Sequence, residues 1–356
     1  MSGVLAEWTE SACGRIVIAG AGSVGCYTGG TLALAGRAIT LLLRPAMANA
    51  ISAKGFSVRD LQRAERHISP AQIELATDPE VAFKNATVII VTVKCGATAE
   101  MADLIARHAP ANAIVASFQN GVDNAGIMRE RLGSDRTVVS GMVPFNVMQL
   151  PRTGEPALFL RATSGSIQID AGHGRLRGLL NVAGLPVLEN PDMTGVLWSK
   201  LVINLNNAIN ALAGIPLRNE LCDRRWRLIL ARQMDEALAS LKAEGIETSQ
   251  IEGVRPHLMA KALRLPTWLF RIVASQALAI DPQARSSMWD DLERRHPTEI
   301  DHLQGAILRL SQKHGIATLL TQRITELIRQ SEKAGLGSPG LDPFDVGIGD
   351  HKRPQP

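Results

Sequence analysis

From about residue 14 to residue 142 the chain alternates short apolar, β-branched runs with longer stretches whose apolar positions recur at helical spacing. The runs at 15–19, 38–43, 87–93, 113–117 and 137–142 read as strands. Strands and helices in alternation predict βαβ units around a parallel sheet. Between 150 and 187 the pattern changes, and LPRTGEPALFLRATSGSIQID reads as hairpin strands parted by Gly and Ser turns. That hairpin is expected to extend the sheet antiparallel at its edge. After Asn190 strand signals stop, and from PDMTGVLWSKLV to about Lys333 nearly everything has the helical period. One long helix is expected from about Asn219 to Glu244 with Gly245 as its stop, and another ends at KHG with Gly315 just beyond it. The closing GLGSPGLDPFDVGIGDHKRPQP has no period and much Gly and Pro, which predicts a disordered tail. The expected organisation is α/β over 1–190, all-α over 191–334 and a tail over 335–356.

Composition narrows the class without choosing a function. At 356 residues, 46% hydrophobic and 20% charged, the sequence suits a globular protein with more than one core. A formal charge of +4 mildly favours anionic ligands. No long Lys/Arg block is present, and one Tyr, five Trp and seven Phe are too few for base-stacking platforms, so nucleic acid is not an expected partner. Cys13, Cys26, Cys95 and Cys222 lack C-x-x-C spacing, which points to reduced thiols rather than to a zinc site or a disulfide framework. The first fifteen residues show no basic and apolar leader pattern, and no run of 18 apolar residues follows. The expectation is a cytoplasmic protein with no membrane partner and no metal.

The first chemistry lies in IVIAGAGSVG, residues 16–25, where G-x-G-x-x-G follows a strand and opens a helix that runs to Gly36. In that context Gly20 permits the tight turn, Gly22 lets a pyrophosphate approach the backbone, and Gly25 lets helix and strand pack closely. The phosphates would then lie over the backbone of Gly20, Ala21, Gly22, Ser23, Val24 and Gly25 at the helix N-terminus. The second strand ends at Arg44, where an acidic residue would accept from an NAD ribose hydroxyl. A guanidinium there favours a 2′-phosphate, so NADP is the expected cofactor. Lys94 closes the run ATVIIVTVK and Asn120 follows AIVASFQ. Both stand at the carboxyl ends of parallel strands, and are expected to face the nicotinamide half.

The second chemistry opens the helical region. WSKLVINLNNAINALAG is rich in Asn, which is a poor helix former because its side chain competes for backbone groups. At about 100° per residue, Lys200, Asn204 and Asn207 form one polar stripe, whereas Asn206 and Asn210 point away. A lysine in a largely apolar helix suits a general acid for a carbonyl oxygen. Further on, ARSSMWDDLERRHPTEIDHLQGAIL carries Ser287 and Glu299, and Pro297 reads as the first residue of a helix with Glu299 in its first turn. There a carboxylate answers the helix dipole, unless it serves as counterion to Lys200.

In combination GAGSVG, VTVK at Lys94, FQNGV at Asn120, K-x-x-x-N at Lys200, and SSM followed by HPTEID resemble the ketopantoate reductase (2-dehydropantoate 2-reductase) family over about residues 14–332. The resemblance implies a Rossmann-type dinucleotide-binding domain followed by an all-α domain like that of 6-phosphogluconate dehydrogenase. It implies NADPH-dependent reduction of a 2-keto acid, ketopantoate becoming pantoate on the route to pantothenate. Lys200 resembles the family's general acid, and Glu299 the carboxylate that supports the lysine and the substrate. Asn120 and Lys94 resemble cofactor and active-site contacts, and Asn120, Asn204 and Ser287 resemble substrate contacts. Ala208 stands where some members carry a second Asn, and that role passes to Asn207. The segment 254–283 is longer than in compact members, and extra helix there would reshape the pocket or build a homodimer interface. A bulkier or aromatic keto acid, or a non-catalytic NADP-binding regulatory role, are the alternatives.

Overall fold

The structure is a computed structural model that describes residues 14–347, apart from 62, 63, 151, 252, 276, 277, 279 and 280. The chain divides into two compact units. One takes the described residues to Gln119 together with Asp123–Met193, and the other takes Asn120–Val122 and the described residues from Thr194 onward.

Among its described residues the first unit holds twelve strands: β1 (Arg15–Ala19), β2 (Ile39–Leu42), β3 (Phe56–Arg59), β4 (Glu65–Ile68), β5 (Glu74–Ala76), β6 (Ala86–Val91), β7 (Ile114–Ser117), β8 (Val138–Met142), β9 (Val147–Leu150), β10 (Ala157–Arg161), β11 (Ile167–Asp170) and β12 (Val187–Asn190). Its helices are α1 (Ser23–Leu34), α2 (Pro45–Lys54), α3 (Pro79–Phe83), α4 (Thr98–His108), α5 (Asn124–Leu132) and α6 (Gly174–Leu180). An eight-stranded sheet runs in the order β12-β11-β8-β7-β6-β1-β2-β5. Its pairs from β5 to β8 are parallel, β8 meets β11 antiparallel, and β11 meets β12 parallel. Ile16, Ile18 and Ile90 pack in one apolar cluster, Val17, Ile89 and Val91 in another, so successive side chains of β1 and β6 serve opposite faces. Both faces must be covered, which is why these strands read as unbroken apolar runs. The order turns around at β1, whose neighbours are β2 on one side and β6 on the other. In such sheets this is where a crevice opens beyond the carboxyl ends of the strands.

The stretch expected as a hairpin divides: its IQID end, β11, extends this sheet antiparallel beside β8, whereas its ALFLR strand, β10, leaves it. β9 and β10 pair antiparallel, but β10 continues parallel onto β3, making a separate four-stranded sheet in the order β4-β3-β10-β9. That sheet covers α1 from the side away from β2, so α1 is apolar nearly all round. The close approach explains two glycines that a helix interior otherwise disfavours. A Cβ on Gly29 would meet Leu41 Cδ2 at 2.6 Å, and one on Gly30 would meet Phe56 Cε2 at 2.7 Å.

The second unit is helical: α7 (Met193–Asn204), α8 (Asn206–Ala213), α9 (Leu217–Cys222), α10 (Arg224–Glu244), α11 (Pro256–Leu263), α12 (Thr267–Val273), α13 (Ser287–Glu293), α14 (Gln304–Lys313), α15 (Leu319–Ala334) and α16 (Pro343–Val346). The helix expected over 219–244 is two helices, because the Asp223 carboxylate accepts from Arg225 N–H and so starts α10 afresh. It does end at Gly245, in the left-handed conformation. The expected disordered tail is ordered through Gly347: Leu341 N–H donates to the Leu212 carbonyl at 2.8 Å, Ser338 Oγ donates to the Ala211 carbonyl at 2.7 Å, and Val346 is buried against the helical core. These contacts supply the burial that the segment's own composition lacks. The remaining positions of that expectation, 348–356, lie outside the described residues.

Candidate active site

In the first unit the glycine turn follows β1 and leads into α1. Gly20 adopts φ +84°, a left-handed conformation, and a Cβ there would meet Val93 Cγ1 at 2.2 Å. A Cβ on Gly25 would meet Thr92 Oγ1 at 2.6 Å and Ile18 Cγ2 at 2.9 Å, so helix and strand pack through it. At Gly22 a Cβ would meet nothing within 4 Å. Nothing in the protein requires that glycine, and the open space above it is where a phosphate would approach the backbone. Gly22 caps α1 with no side-chain hydrogen bond, and the first turn carries no acidic residue. The N–H groups of Ser23 and Val24 therefore belong to an acid-free helix start, the electrostatic setting that anions prefer. These residues fit a dinucleotide pyrophosphate.

Arg44 is exposed two residues past β2 and N-caps α2. Lys94 is exposed just past β6, at the head of a short turn over Cys95–Ala97. Behind it lies a buried polar network that the sequence did not announce. Gln119 Nε2 donates to the Val93 carbonyl at 3.0 Å and to Thr98 Oγ1 at 2.7 Å, while Thr98 Oγ1 donates to Asn124 Oδ1 at 2.8 Å. Ser117 Oγ donates to Gln119 Oε1 at 3.0 Å. Satisfied networks of this kind fix backbone geometry, here that of the loop carrying Lys94.

In the second unit, α7 carries Lys200, half-buried, and Asn204, buried one helical turn further on. Asn204 Nδ2 donates to Asn120 Oδ1 at 3.3 Å, and Asn120 Nδ2 donates to Glu299 Oε2 at 3.1 Å. Residues separated by 84 and 179 positions thus form one line of hydrogen bonds. Glu299 is buried, but it does not sit in a helix's first turn as expected. Pro297 stands in an irregular stretch and α14 starts only at Gln304. Tertiary bonds hold the helix off: Thr298 N–H donates to Glu332 Oε1 at 2.7 Å, and Gln304 Nε2 to the Leu205 carbonyl at 3.0 Å. The dipole reading of Glu299 accordingly gives way to its bond with Asn120.

The stripe expected to join Asn204 and Asn207 is interrupted at Leu205, between α7 and α8. Asn207 is half-buried, and its carbonyl accepts from Ser286 Oγ at 2.9 Å. Ser287 is exposed at the start of α13, which Ser286 caps by accepting from Trp289 N–H at 3.1 Å. Asn207 and Ser287 are therefore linked through Ser286, the neighbour of Ser287 in the SSM motif. Asn210, expected merely to point away, is fully buried. Among the described residues no group of three or more His, Cys, Asp or Glu is arranged to hold a metal, and no helix is long and apolar enough to cross a membrane.

A Gly-rich turn at the point where a parallel sheet reverses its order defines a Rossmann-type dinucleotide-binding fold, here joined to an all-α unit bearing a lysine, two asparagines and a buried glutamate. Comparison with known proteins specifies it further. Residues 16–173 match the family described as ketopantoate reductase PanE/ApbA, and residues 192–332 match its C-terminal domain. The chain belongs to the ketopantoate reductase family, whose members are nicotinamide-dinucleotide-dependent reductases. It is 26% identical over 330 residues to a 2-dehydropantoate 2-reductase of Halobacterium salinarum, covering 90% of this chain and 100% of that protein. The crystal structure of a PanE/ApbA family ketopantoate reductase from Ralstonia eutropha JMP134 aligns with TM-score 0.75 and 28% identity, over 90% of this chain and 99% of the other. A D-mandelate dehydrogenase solved with NADH and anilino(oxo)acetate shares the fold, at TM-score 0.72 and 20% identity over 90% of this chain and 99% of the other.

Proposed function

We propose that the protein reduces a 2-keto acid with NADPH, ketopantoate to pantoate in pantothenate biosynthesis, with Lys200 as general acid. The observation that carries the reading is the line Asn204, Asn120, Glu299, which ends one helical turn from Lys200. When bound, the reduced dinucleotide supplies a hydride to the keto carbon. The carbonyl π bond breaks toward oxygen, and Lys200 donates a proton to the developing alkoxide, giving the 2-hydroxy acid. A fixed ammonium beside that oxygen also stabilises its charge before transfer is complete. Asn120 and Asn204 have their amides ordered by each other and by Glu299, so they orient the substrate without first having to be ordered themselves. Glu299 supports the ammonium and the substrate, while Asn207 and Ser287 hold the substrate's polar ends. The glycine turn and Arg44 bind the pyrophosphate and the 2′-phosphate, and Lys94 contacts the nicotinamide half.

Turnover by Lys200→Ala tests the acid. The expected result is a fall in kcat of about 10³-fold, within the range for losing a positioned proton donor, with NADPH affinity changed less than about twofold. Near-normal turnover removes Lys200 from the mechanism. Rates with ketopantoate against a panel of 2-keto acids test the substrate. A preference of about 100-fold for a bulkier or aromatic acid, roughly 2.7 kcal/mol, assigns the enzyme to that substrate instead.

A further inference from the structure

Glu220 is a buried acid to which the reaction above gives no role. It lies on α9, 1% exposed, and its Oε2 accepts from Asn210 Nδ2 at 2.6 Å. Asn210 is itself fully buried and committed on every side. Its amide also donates to the Ile215 carbonyl at 3.0 Å, and its Oδ1 accepts from Ser286 N–H at 2.9 Å. Ser286 in turn donates its hydroxyl to the Asn207 carbonyl and receives Trp289 N–H. Two more bonds tie the same segments, from Leu217 N–H to the Ala284 carbonyl at 2.9 Å and from Arg285 Nη1 to the Gly214 carbonyl at 2.5 Å. One carboxyl therefore stands at the root of a network joining α8, α9 and the start of α13.

We propose that Glu220 is a positioning residue for substrate, acting through Asn210 and Ser286 to hold Asn207 and Ser287 at a fixed separation. The inference rests on the reading of Asn207 and Ser287 as substrate contacts. Burying a carboxyl among apolar helices costs more than filling the space with a leucine, so the group contributes little as simple packing. What it supplies is direction. Asn210 can turn its Oδ1 to Ser286 only if its N–H groups find acceptors on the other side, and Glu220 is one of them. Burial also pushes the Glu220 carboxyl up to about 8, so near neutral pH it is largely protonated and acts as a neutral hydrogen-bonding group. Its neighbour Asn206, whose Oδ1 is buried without a partner, becomes an acceptor for that proton once its amide is turned over. A glutamine at this position offers Asn210 the same acceptor at the same reach, whereas an aspartate is one methylene short.

Steady-state kinetics on the full chain test this. Glu220→Ala should raise KM for the 2-keto acid about tenfold, leaving kcat within about threefold and KM for NADPH unchanged. Glu220→Gln should restore the wild-type KM, and Glu220→Asp should not. Ser286→Ala should raise the same KM, and its combination with Glu220→Ala should add little, as expected of residues acting through one network. An unchanged KM in Glu220→Ala, a parallel rise in both KM values, or full additivity with Ser286→Ala overturns the proposal. If Glu220→Ala does not fold, Ser286→Ala and Glu220→Asp decide the matter by the same KM. Hydrogen exchange of the Ser286 amide without substrate separates this inference from the reading of the reaction. Faster exchange in Glu220→Asp than in Glu220→Gln supports the linkage even if no keto acid is turned over, and equal exchange in the two refutes it.

Discussion

The glycine turn of the first unit and the asparagine–glutamate line of the second, the two places proposed above to meet ligands, are built by opposite means. The turn spans six consecutive residues, and what it would offer a ligand is backbone N–H. Its requirements are local: a left-handed residue at Gly20, open space at Gly22, close packing at Gly25. The line joins Asn120, Asn204 and Glu299 from three separate parts of the chain, and its groups are side chains. A backbone site tolerates change in most of its side chains, whereas a side-chain site depends on each member. The helical unit also shelters a buried, protonatable carboxyl, and the strands of the parallel sheet carry none.

The largest effect expected from this difference is on stability against pH. Glu220 loses its proton near 4.5 when unfolded and near 8 when folded. As pH rises between those values the unfolded chain releases a proton that the folded chain keeps, so unfolding grows more favourable. The contribution is complete below about 4.5 and is lost by about 8, at roughly 1.4 kcal/mol per pH unit and about 5 kcal/mol in all. The nearby cations Arg227 and Arg285 are engaged with backbone carbonyls, at Leu221, Leu263, Leu265 and Gly214, and do not offset it. Chemical denaturation of wild type and Glu220→Gln from pH 5 to 8 measures this directly. The variant should lose less stability over that range, and parallel curves would place the ionisation elsewhere.

Asn120→Ala is expected to have the next largest effect, since it leaves both Asn204 Nδ2 and Glu299 Oε2 without their bond. Two such losses, at about 1–3 kcal/mol each when buried, predict a fall of about 100-fold in kcat/KM with the fold retained. A change under threefold would mean that the line is structural only. For Arg44→Ala the expectation is about 10-fold weaker NADPH binding with NADH nearly unaffected, by the worth of a charge-assisted hydrogen bond. Equal change for both dinucleotides would remove the 2′-phosphate contact. A last pair of variants divides the turn itself. Gly20→Ala should cost about 1–3 kcal/mol of stability through strain and its collision with Val93. Gly22→Ala should leave the melting temperature unchanged and weaken dinucleotide binding about tenfold, roughly 1.4 kcal/mol. Destabilisation in both would mean that Gly22 serves the fold.

What could be read in advance follows the same division. The strands β1, β2, β6, β7 and β8 fall within a residue or two of the runs at 15–19, 38–43, 87–93, 113–117 and 137–142, because both-face burial writes itself as an apolar run. The short strands β3, β4 and β5 carry no such pattern: ERHI in β4 is mostly surface, and the sheet it joins forms only because β10 returns to pair with β3. Lys200, Asn204, Asn120 and Glu299 stood out by residue type. Asn210 was set aside for pointing away from the stripe, and Glu220 did not stand out, since a lone Glu in LRNELC has the look of any solvated helix residue.

By itself the sequence determined the five central strands of the parallel sheet, the change to helix after Asn190, the glycine turn and the residue types offered to chemistry, since all of these depend on neighbours a few positions apart. Tertiary structure alone decided the second sheet over α1, the ordered course of 335–347, and the removal of Glu299 from a helix start. Each of these turns on a partner far along the chain: Phe56 against Gly30, Leu341 on Leu212, Asn120 on Glu299. A hydrogen bond or buried contact between distant residues leaves no period in either of them, so it becomes visible only once folding has brought them together.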